Sequence, residues 1–595
     1  MNTPAFIPHF FRPSSCPAWA KAILLVCITS LSLAATNPQK PNVIFVLTDD
    51  QGYGDLGAHG NPILKTPELD RFHAESVRFT DFHVSPLCTP TRGALLTGRD
   101  PARNGAYRTS AGRTMLHEDE RTLAHLFSEN GYATALYGKW HLGDSAPHRP
   151  QDYGFQDVVW HRCGGIGQVS DYWGNDLFDD VYERNGELER FEGYCTDIWF
   201  REGMRFIEEN QDKPFFLYLP LNAPHTPIVV DEKWSAPYKD QVDKPIRADY
   251  FGMIANIDYN FGLLRQKLKE LDLEENTILI FMTDNGTYLG AEFDKNDKNN
   301  SEATWGFNAG MRGRKASVYE GGHRVPFFVR WPKGGIEGGK DIDTLSAHVD
   351  FFPTLAELCN IPVPTDRILD GMSLAPLLEE ENPTWERGPI VMQFHGGPAF
   401  PEDRLKTEFS YIMTERWRLI HGRELYDIQA DPAQRNDVAA QYPEVVKELW
   451  AHYEPYWQSV KEGMRPVRLD IGNPSENPVE LCSQDWYMPQ GNPPWNFRLI
   501  SALPRVTAPW MINVKRAGFY RFTLRQYPAL ANKPLVAVRA KIRVAGIEKE
   551  VEVTPGTSGV VIDLSLPVGE TELWTYLYDE NGEAGGAYFT EVQKL

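Results

Sequence analysis

The chain has 595 residues, 42% of them hydrophobic and 24% charged; this excludes a single small core and a disordered polymer, and predicts three or four folded units. Its 60 bases against 81 acids give a net charge of −21, a balance that argues against nucleic acid or an anionic membrane as partner. Seven cysteines dispersed without a C-x-x-C pair argue against a zinc cage.

Residues 1–35 hold Arg12 and Lys21, no acid, and the apolar run AILLVCITSLSLAA at 22–35. That run is too short to span a bilayer and ends in small residues. It reads as a cleaved secretory signal, with the cut after Ala34 or Ala35. Removing it moves the net charge to −23. Nothing later reads as a membrane span, so a secreted or periplasmic protein is expected. In such a compartment Cys163 and Cys195 are candidates for a disulfide.

Apolar runs then recur: VIFVL at 43–47, ATALY at 133–137, FFLYL at 215–219, ILIFM at 278–282 and PFFV at 326–329. They do not alternate with polar residues, as a strand buried on both faces of a helix-covered parallel sheet requires. Helical stretches lie between them. In residues 118–130, for example, Leu123, Leu126 and Phe127 form one apolar face and Asn130-Gly131 supplies the stop. The alternation predicts an α/β fold. After Asp427 come a loop and an amphipathic helix, and the Pro- and Asn-rich stretch 466–478 reads as a linker. Beyond it the period becomes two: Tyr520, Phe522 and Leu524 alternate with polar residues, as do Val536, Val538, Ala540, Ile542 and Val544, and DENG at 579–582 reads as a turn. Residues 466–595 are therefore expected to form a separate all-β domain, a sandwich.

Charged residues cluster where the strands end. Asp49 and Asp50 follow VIFVL, Asp284 and Asn285 follow ILIFM, Lys139 and His141 follow ATALY, and His225 follows FFLYL. In open α/β sheets sites form outside the carboxyl ends of the strands, so these groups are expected to share one crevice. Three carboxylates and an amide make a hard oxygen set suited to calcium or magnesium. Acidic pairs also cap helices or sit in solvated loops; two such pairs at strand ends favour a metal. Lys139, His141, His225 and Lys315 beside a divalent cation describe a site for an anionic tetrahedral group, hence metal-assisted hydrolysis of a phosphate or sulfate ester. Cys88 is a strange neighbour for a hard cation, and reads as a buried structural cysteine or a thiolate nucleophile.

The stretch from Cys88 through Thr89, Pro90, Thr91 and Arg92 to Leu95, Leu96, Thr97, Gly98 and Arg99 resembles the signature of the formylglycine-dependent sulfatases, arylsulfatase-like members of the alkaline-phosphatase superfamily. The resemblance includes PNVIFVLTDDQGYGDLG, TPELDRFHAESVRF, YGKWHLG, APHTP, TDNG, GRKASVYEGGHRVP and ELYDIQADPAQRNDVA, in order over about residues 40–460. It implies an alkaline-phosphatase-like, mostly parallel sheet flanked by helices in a catalytic domain at 36–380, and a small α+β C-terminal subdomain at 381–465. It further implies that a maturation enzyme reading Pro90 and Arg92 oxidises Cys88 to formylglycine, and that Asp49, Asp50, Asp284, Asn285 and that formylglycine hold one calcium ion. Arg92 matches the residue that holds the formylglycine hydrate, and Lys139 and Lys315 match the sulfate-binding lysines. His225 matches the residue beside the leaving oxygen, and His141 the one that deprotonates the hydrate's second hydroxyl. One hydroxyl of the hydrate would attack sulfur to give a sulfated enzyme; loss of the second proton would expel sulfate.

The expected function is hydrolysis of O-sulfate esters on sulfated carbohydrate, and of aryl sulfates. The alternative is a phosphonate or phosphate ester hydrolase of the same superfamily; a binding protein with an inactive site is the third reading. Trp160, Tyr172 and Trp173 are candidates for stacking on sugar rings or for packing their own loop.

Overall fold

A computed structural model describes Met1 and residues 40–289, 307–381, 383–396, 399, 405–406 and 408–595. The signal segment expected at 1–35 lies outside the described residues, Met1 apart. No described helix is long and apolar enough to cross a membrane.

A ten-stranded sheet forms the centre, in the order Asp341–Ile342, Val77–Phe79, Phe327–Arg330, Thr277–Thr283, Asn42–Thr48, Phe215–Pro220, Ala133–Lys139, Asp157–His161, Val181–Arg184, Glu187–Arg190. The five strands from Thr277–Thr283 to Asp157–His161 are parallel. The PFFV run behaves differently: Phe327–Arg330 pairs antiparallel to Thr277–Thr283, so the sheet is mixed towards both edges. An apolar run reports burial and carries no direction.

Successive residues of a strand face opposite sides, and here each side has its own core. Val43, Phe45 and Leu47 pack with Leu123, Phe127, Phe351 and Leu355 on one face. Ile44 and Val46 pack with Ile198, Trp199, Ile257, Phe261 and Leu264, from the helices Cys195–Glu209 and Pro245–Glu270, on the other. This double burial accounts for the unbroken hydrophobicity of the runs. The helix read at 118–130 is shorter, Leu123–Glu129, because Thr122 caps it by accepting from the His125 N–H.

A second, antiparallel sheet (Ile390–Gln393, Ser410–Met413, Trp417–Ile420, Glu424–Asp427) carries the helices Pro443–Trp450 and Tyr453–Val460 on one face. Its other face meets Leu87, Ala94, Val318 and Tyr319 of the α/β layer. A buried ion network joins the two layers. Arg418 donates to Glu320 Oε1 at 2.7 Å and to Asp81 Oδ1 at 2.9 Å, and His83 Nε2 lies 2.9 Å from Asp81 Oδ1. Burial opposes the charge on Glu320, but Arg418, His83 and Arg324 outweigh it and hold the carboxyl down at about 2. The stabilisation is complete above the ordinary carboxylate range and is lost as pH falls towards 2. Arg418→Met would leave Glu320 and Asp81 with only Arg324 and His83 to offset their burial, and is expected to cost about 3–5 kcal/mol. A chemical-denaturation midpoint equal to that of the parent would contradict this.

The C-terminal region is all-β. One sheet contains Leu469–Ile471, Trp510–Val514, Gly569–Tyr578, Arg539–Val544 and Ile547–Glu552; the facing sheet contains Val479–Cys482, Phe589–Lys594, Gly518–Arg525 and Val560–Leu566. Tyr520, Phe522 and Leu524 are buried between them, as are Ala540, Ile542 and Val544. Gly582 N–H donates to the Asp579 carbonyl in the expected turn. Three details depart from expectation. Val536 and Val538 precede the strand and are exposed. The stretch read as a linker holds the buried strand Leu469–Ile471, parallel to Trp510–Val514. The core of the sandwich also includes Met115, Cys163 and Val169 from the α/β portion, so the two share apolar surface.

The candidate disulfide, which the sequence left open, is not formed. Cys163 and Cys195 are buried free thiols in different cores. Cys163 Sγ donates to Gln484 Oε1 at 2.6 Å, and Cys195 Sγ accepts from Asn222 Nδ2 at 3.5 Å.

Candidate active site

Strand register brings the acidic pairs together. Asn42–Thr48 and Thr277–Thr283 run in parallel with Thr48 beside Thr283, so Asp49 and Asp284 leave the sheet side by side. The Asp284 N–H donates to the Thr48 carbonyl at 3.0 Å and the Asp50 N–H to Asp284 Oδ1 at 3.2 Å. Asp50 adopts a left-handed backbone (φ 68°), where a non-glycine residue is uncommon and strained. That turn is held by Tyr250, whose hydroxyl lies 2.8 Å from both the Asp50 carbonyl and Asp55 Oδ2. Neither Tyr250 nor Asp55 stands out in the sequence. Asn285 Nδ2 donates to Asp50 Oδ1 at 2.9 Å. Gly286 then passes so close to the Gly321-Gly322 backbone that a Cβ would lie 1.9 Å from the Gly321 carbonyl oxygen, which explains the glycine in TDNG.

The cations interleave with these carboxylates. Arg92, fully buried on the helix Cys88–Thr97, donates to Asp284 Oδ2 through Nε at 3.0 Å and Nη2 at 2.8 Å, and to the Lys139 carbonyl through Nη1 at 3.0 Å. Lys139 Nζ reaches Asp49 Oδ2 at 2.5 Å, and Lys315 Nζ reaches Asp50 Oδ1 at 2.7 Å. His225 Nε2 lies 3.8 Å from Asp50 Oδ2, while its Nδ1 is 2.7 Å from the Thr226 carbonyl, which fixes the proton on Nδ1 in the neutral ring. Cys88, 2% exposed, opens its helix, with Sγ 3.4 Å from His141 Nδ1. Thr89 Oγ1 donates to the His141 carbonyl at 3.2 Å. The loop after strand Asp157–His161 closes this side. A Cβ on Gly164 would lie 2.6 Å from the His141 ring, and one on Gly165 would lie 3.3 Å from His225 Nδ1. All ten residues singled out in the sequence thus converge at the carboxyl ends of the parallel strands. The Gly164-Gly165 wall is legible only in three dimensions.

The electrostatics are those of a charged, dry pocket. Burial works against the Asp49 carboxylate, yet Lys139, His225, Arg92 and Lys315 outweigh it and hold the group well below the usual range. Burial and the adjacent Asp49 push Asp284 up to about 7 despite Arg92. Burial pushes the Cys88 thiol up, against the pull of Lys139, so the unmodified sulfur is a poor thiolate. Burial, with Lys139 and Arg92, holds His141 well below the histidine range; burial and Lys315 bring His225 to about 4.

The donor set fits a hard divalent cation. Asp49 Oδ1 and Asn285 Oδ1 are buried without a hydrogen-bond partner, a state that costs free energy unless a ligand completes it. Ligand atoms of Asp49, Cys88 and Asp284 lie within 4.8 Å of one another, as do those of Asp49, Asp50 and His225.

Residues 41–361 match the family described as Sulfatase, and residues 313–457 the family described as N-sulphoglucosamine sulphohydrolase, C-terminal. This chain belongs to the sulfatase family. It is a sulfuric ester hydrolase with the alkaline-phosphatase-like fold. The N-acetylgalactosamine-6-sulfatase of Canis lupus familiaris is 32% identical over 378 residues, covering 60% of this chain and 69% of the relative. The N-acetylgalactosamine-6-O-sulfatase of Bacteroides thetaiotaomicron is 30% identical over 487 residues, covering 69% and 92%. Among solved structures, Ps i-CgsB in complex with k-i-k-neocarrahexaose superposes with a TM-score of 0.62 at 27% identity, covering 72% of this sulfatase and 94% of that chain. The sandwich after residue 466 lies outside both family matches. Its contact with the loop singled out for sugar stacking is a packing contact: Trp173 sits edge-on to Phe497, ring centroids 4.6 Å apart. Trp160 is fully buried in the core of the α/β portion.

Proposed function

We propose that this sulfatase is exported to the periplasm or medium and hydrolyses O-sulfate esters of sulfated carbohydrate, with aryl sulfates as small surrogate substrates, after a maturation enzyme has converted Cys88 to formylglycine. The observation that carries the reading is the burial of Cys88 beside His141 in a crevice that also holds Arg92, Lys139, Lys315 and His225. Curated relatives named for N-acetylgalactosamine 6-sulfate support the carbohydrate class, and the apolar run at 22–35 supports export.

Each residue has a task. The hydrate supplied by maturation of Cys88 offers two hydroxyls on one carbon, so that one serves as nucleophile and the other can later lose its proton. Lys139 and Lys315 hold the sulfate by charge, and Arg92 keeps the group at position 88 oriented. His141 Nδ1 is positioned to take a proton from that group, and His225 Nε2, in the doubly protonated ring, to deliver one to the leaving oxygen. Asp49, Asp50, Asp284 and Asn285 would hold one calcium ion, which supplies Lewis-acid stabilisation of negative oxygen. The apposed buried carboxylates also predict a stability effect. Chelation should abolish turnover, and calcium at a hundredfold excess over its Kd should raise folding stability by about 2.7 kcal/mol. Magnesium should do so less well, because it demands a smaller octahedral cage. A melting temperature indifferent to chelator and calcium would remove the metal from this reading.

The deciding experiment compares matured enzyme on 4-nitrophenyl sulfate, 4-nitrophenyl phosphate, a phosphonate monoester and a set of sulfated oligosaccharides. Preference for sulfate esters is the expected result. Preference for phosphate or phosphonate would replace this reading with the phosphonate or phosphate ester hydrolase alternative.

A further inference from the structure

A second cationic cluster borders the start of the Cys88 helix and takes no part in the chemistry assigned above. Tyr107 is its hub. Arg113 Nε donates to the Tyr107 hydroxyl at 3.0 Å, and the His395 ring meets the Tyr107 ring edge-on, centroids 5.2 Å apart. The Arg108 N–H donates to the Arg113 carbonyl at 3.1 Å, which keeps the two arginines together. Arg108 and His395 are buried, and Arg113 is half-buried.

Such a cluster is costly by itself. His395 has both ring nitrogens buried with no hydrogen-bond partner. Arg113 has, among the described residues, the Tyr107 hydroxyl, the Ala111 carbonyl and the Tyr487 ring as its side-chain partners, with no carboxylate within ion-pair distance. The buried arginines Arg92 and Arg418, by contrast, each rest on carboxylates. Burial together with the two arginines holds His395 down at about 3. A half-buried arginine without a carboxylate among the described residues, beside a buried imidazole with both nitrogens unpartnered, is stabilised when an anion enters.

The place suits a substrate. Gly396, next to His395, packs so tightly on the residue preceding Cys88 that a Cβ would lie 2.0 Å from Leu87 Cδ1. On the opposite side the C-terminal sandwich contributes. Tyr487 carries the Arg113 guanidinium 4.0 Å above its ring, and Asn492 Oδ1 accepts from Ser110 Oγ at 3.5 Å.

We infer that Arg113, His395 and Arg108, with Tyr487 of the sandwich, form a subsite for a second anionic group of the substrate, a sulfate ester or a carboxylate on the sugar bearing the scissile sulfate or on its neighbour. The inference rests on the carbohydrate reading above. It gives the sandwich a role, that of supporting Arg113 through Tyr487.

The test uses the matured full-length enzyme with Arg113→Met and His395→Phe. Substrates are 4-nitrophenyl sulfate, a monosulfated neutral oligosaccharide, a disulfated one, and a monosulfated one containing a uronate. For the doubly anionic substrates kcat/KM should fall at least about tenfold in either variant, as expected for loss of a charge-assisted hydrogen bond. Turnover of 4-nitrophenyl sulfate should be unchanged. The disulfated and uronate arms tell the two anions apart. An equal loss on all four substrates, or none on any, overturns the subsite. Independently of turnover, selenate soaked into crystals of the parent protein should appear beside Arg113 and His395; a clean absence there at saturating selenate counts against it. If the parent turned over no sulfate ester at all, the functional reading would fail, while the selenate result would still decide the subsite.

Discussion

Cys88→Ser is expected to lower steady-state sulfate-ester turnover by at least about 10⁴-fold while leaving the fold intact. The magnitude is that of deleting a nucleophile whose partners act as a unit. The physical reason lies at one atom. Serine is nearly isosteric with cysteine, so the helix Cys88–Thr97 should pack as before and the melting temperature should hardly move. A serine hydroxyl, however, once sulfated, has no second hydroxyl on the same carbon from which to expel sulfate. The variant should release at most one equivalent of alcohol per enzyme and then stop. Unmodified Cys88 fares no better, since burial keeps its thiol protonated. Mass spectrometry of the tryptic peptide 79–92 supplies the control. In the active parent the thiol mass should be replaced by that of the aldehyde, and in the variant by that of unaltered serine. Sustained turnover by a protein whose peptide still carries the thiol would refute the formylglycine reading.

Arg92→Met is expected to be the most damaging substitution that leaves Cys88 in place. The guanidinium is fully buried and touches Asp284 through two nitrogens, approaches Asp49 at 3.7 Å, and donates to the Lys139 and Leu221 carbonyls. Methionine fills the volume but removes every one of these donors. Two carboxylates are then left in a dry pocket with less positive charge, at a cost of about 3–5 kcal/mol. Activity should be lost as well, because Arg92 stands one turn along the helix from Cys88 and, in the function proposed above, orients the group at position 88. Arg92→Lys should recover part of the stability but little of the activity: an ammonium restores the charge without the planar fork that spans Asp284 and the Lys139 carbonyl. Unfolding midpoints and aryl sulfate turnover of both variants check this. A methionine variant as stable as its parent would show that the cluster carries its own charge balance.

How far this protein could be read from its residues depends on where the information sits. The strands 43–47, 133–137, 215–219 and 278–282 were legible because burial on both faces leaves an unbroken apolar run. The ten candidate residues were legible because they stand at or shortly after the ends of those strands, in the signature around Cys88 or, for Lys315, in the GRKASVYEGGHRVP stretch. Phe327–Arg330 was legible as a strand and not as an antiparallel one, since direction is set by its neighbour. Leu469–Ile471 hid in a Pro- and Asn-rich stretch: three residues are too few to show a period, and only pairing with Trp510–Val514 makes them a strand. Val536 and Val538 extended an apolar alternation that the fold ends at Arg539.

The sequence alone determined the α/β class, the all-β character of the C-terminal region, the acidic and basic candidates for the site and the family signature, all of which rest on local pattern and residue chemistry. Tertiary structure decided which of those residues touch. It set the left-handed Asp50 turn braced by Tyr250 and the Gly164-Gly165 wall against the histidines. It placed Cys163 and Cys195 in separate cores, and it brought Arg113 and His395, 282 positions apart in the numbering, onto one tyrosine. Local pattern records what a residue's own segment requires of it; contacts between distant segments depend on how whole elements pack, and no short window of sequence contains that geometry.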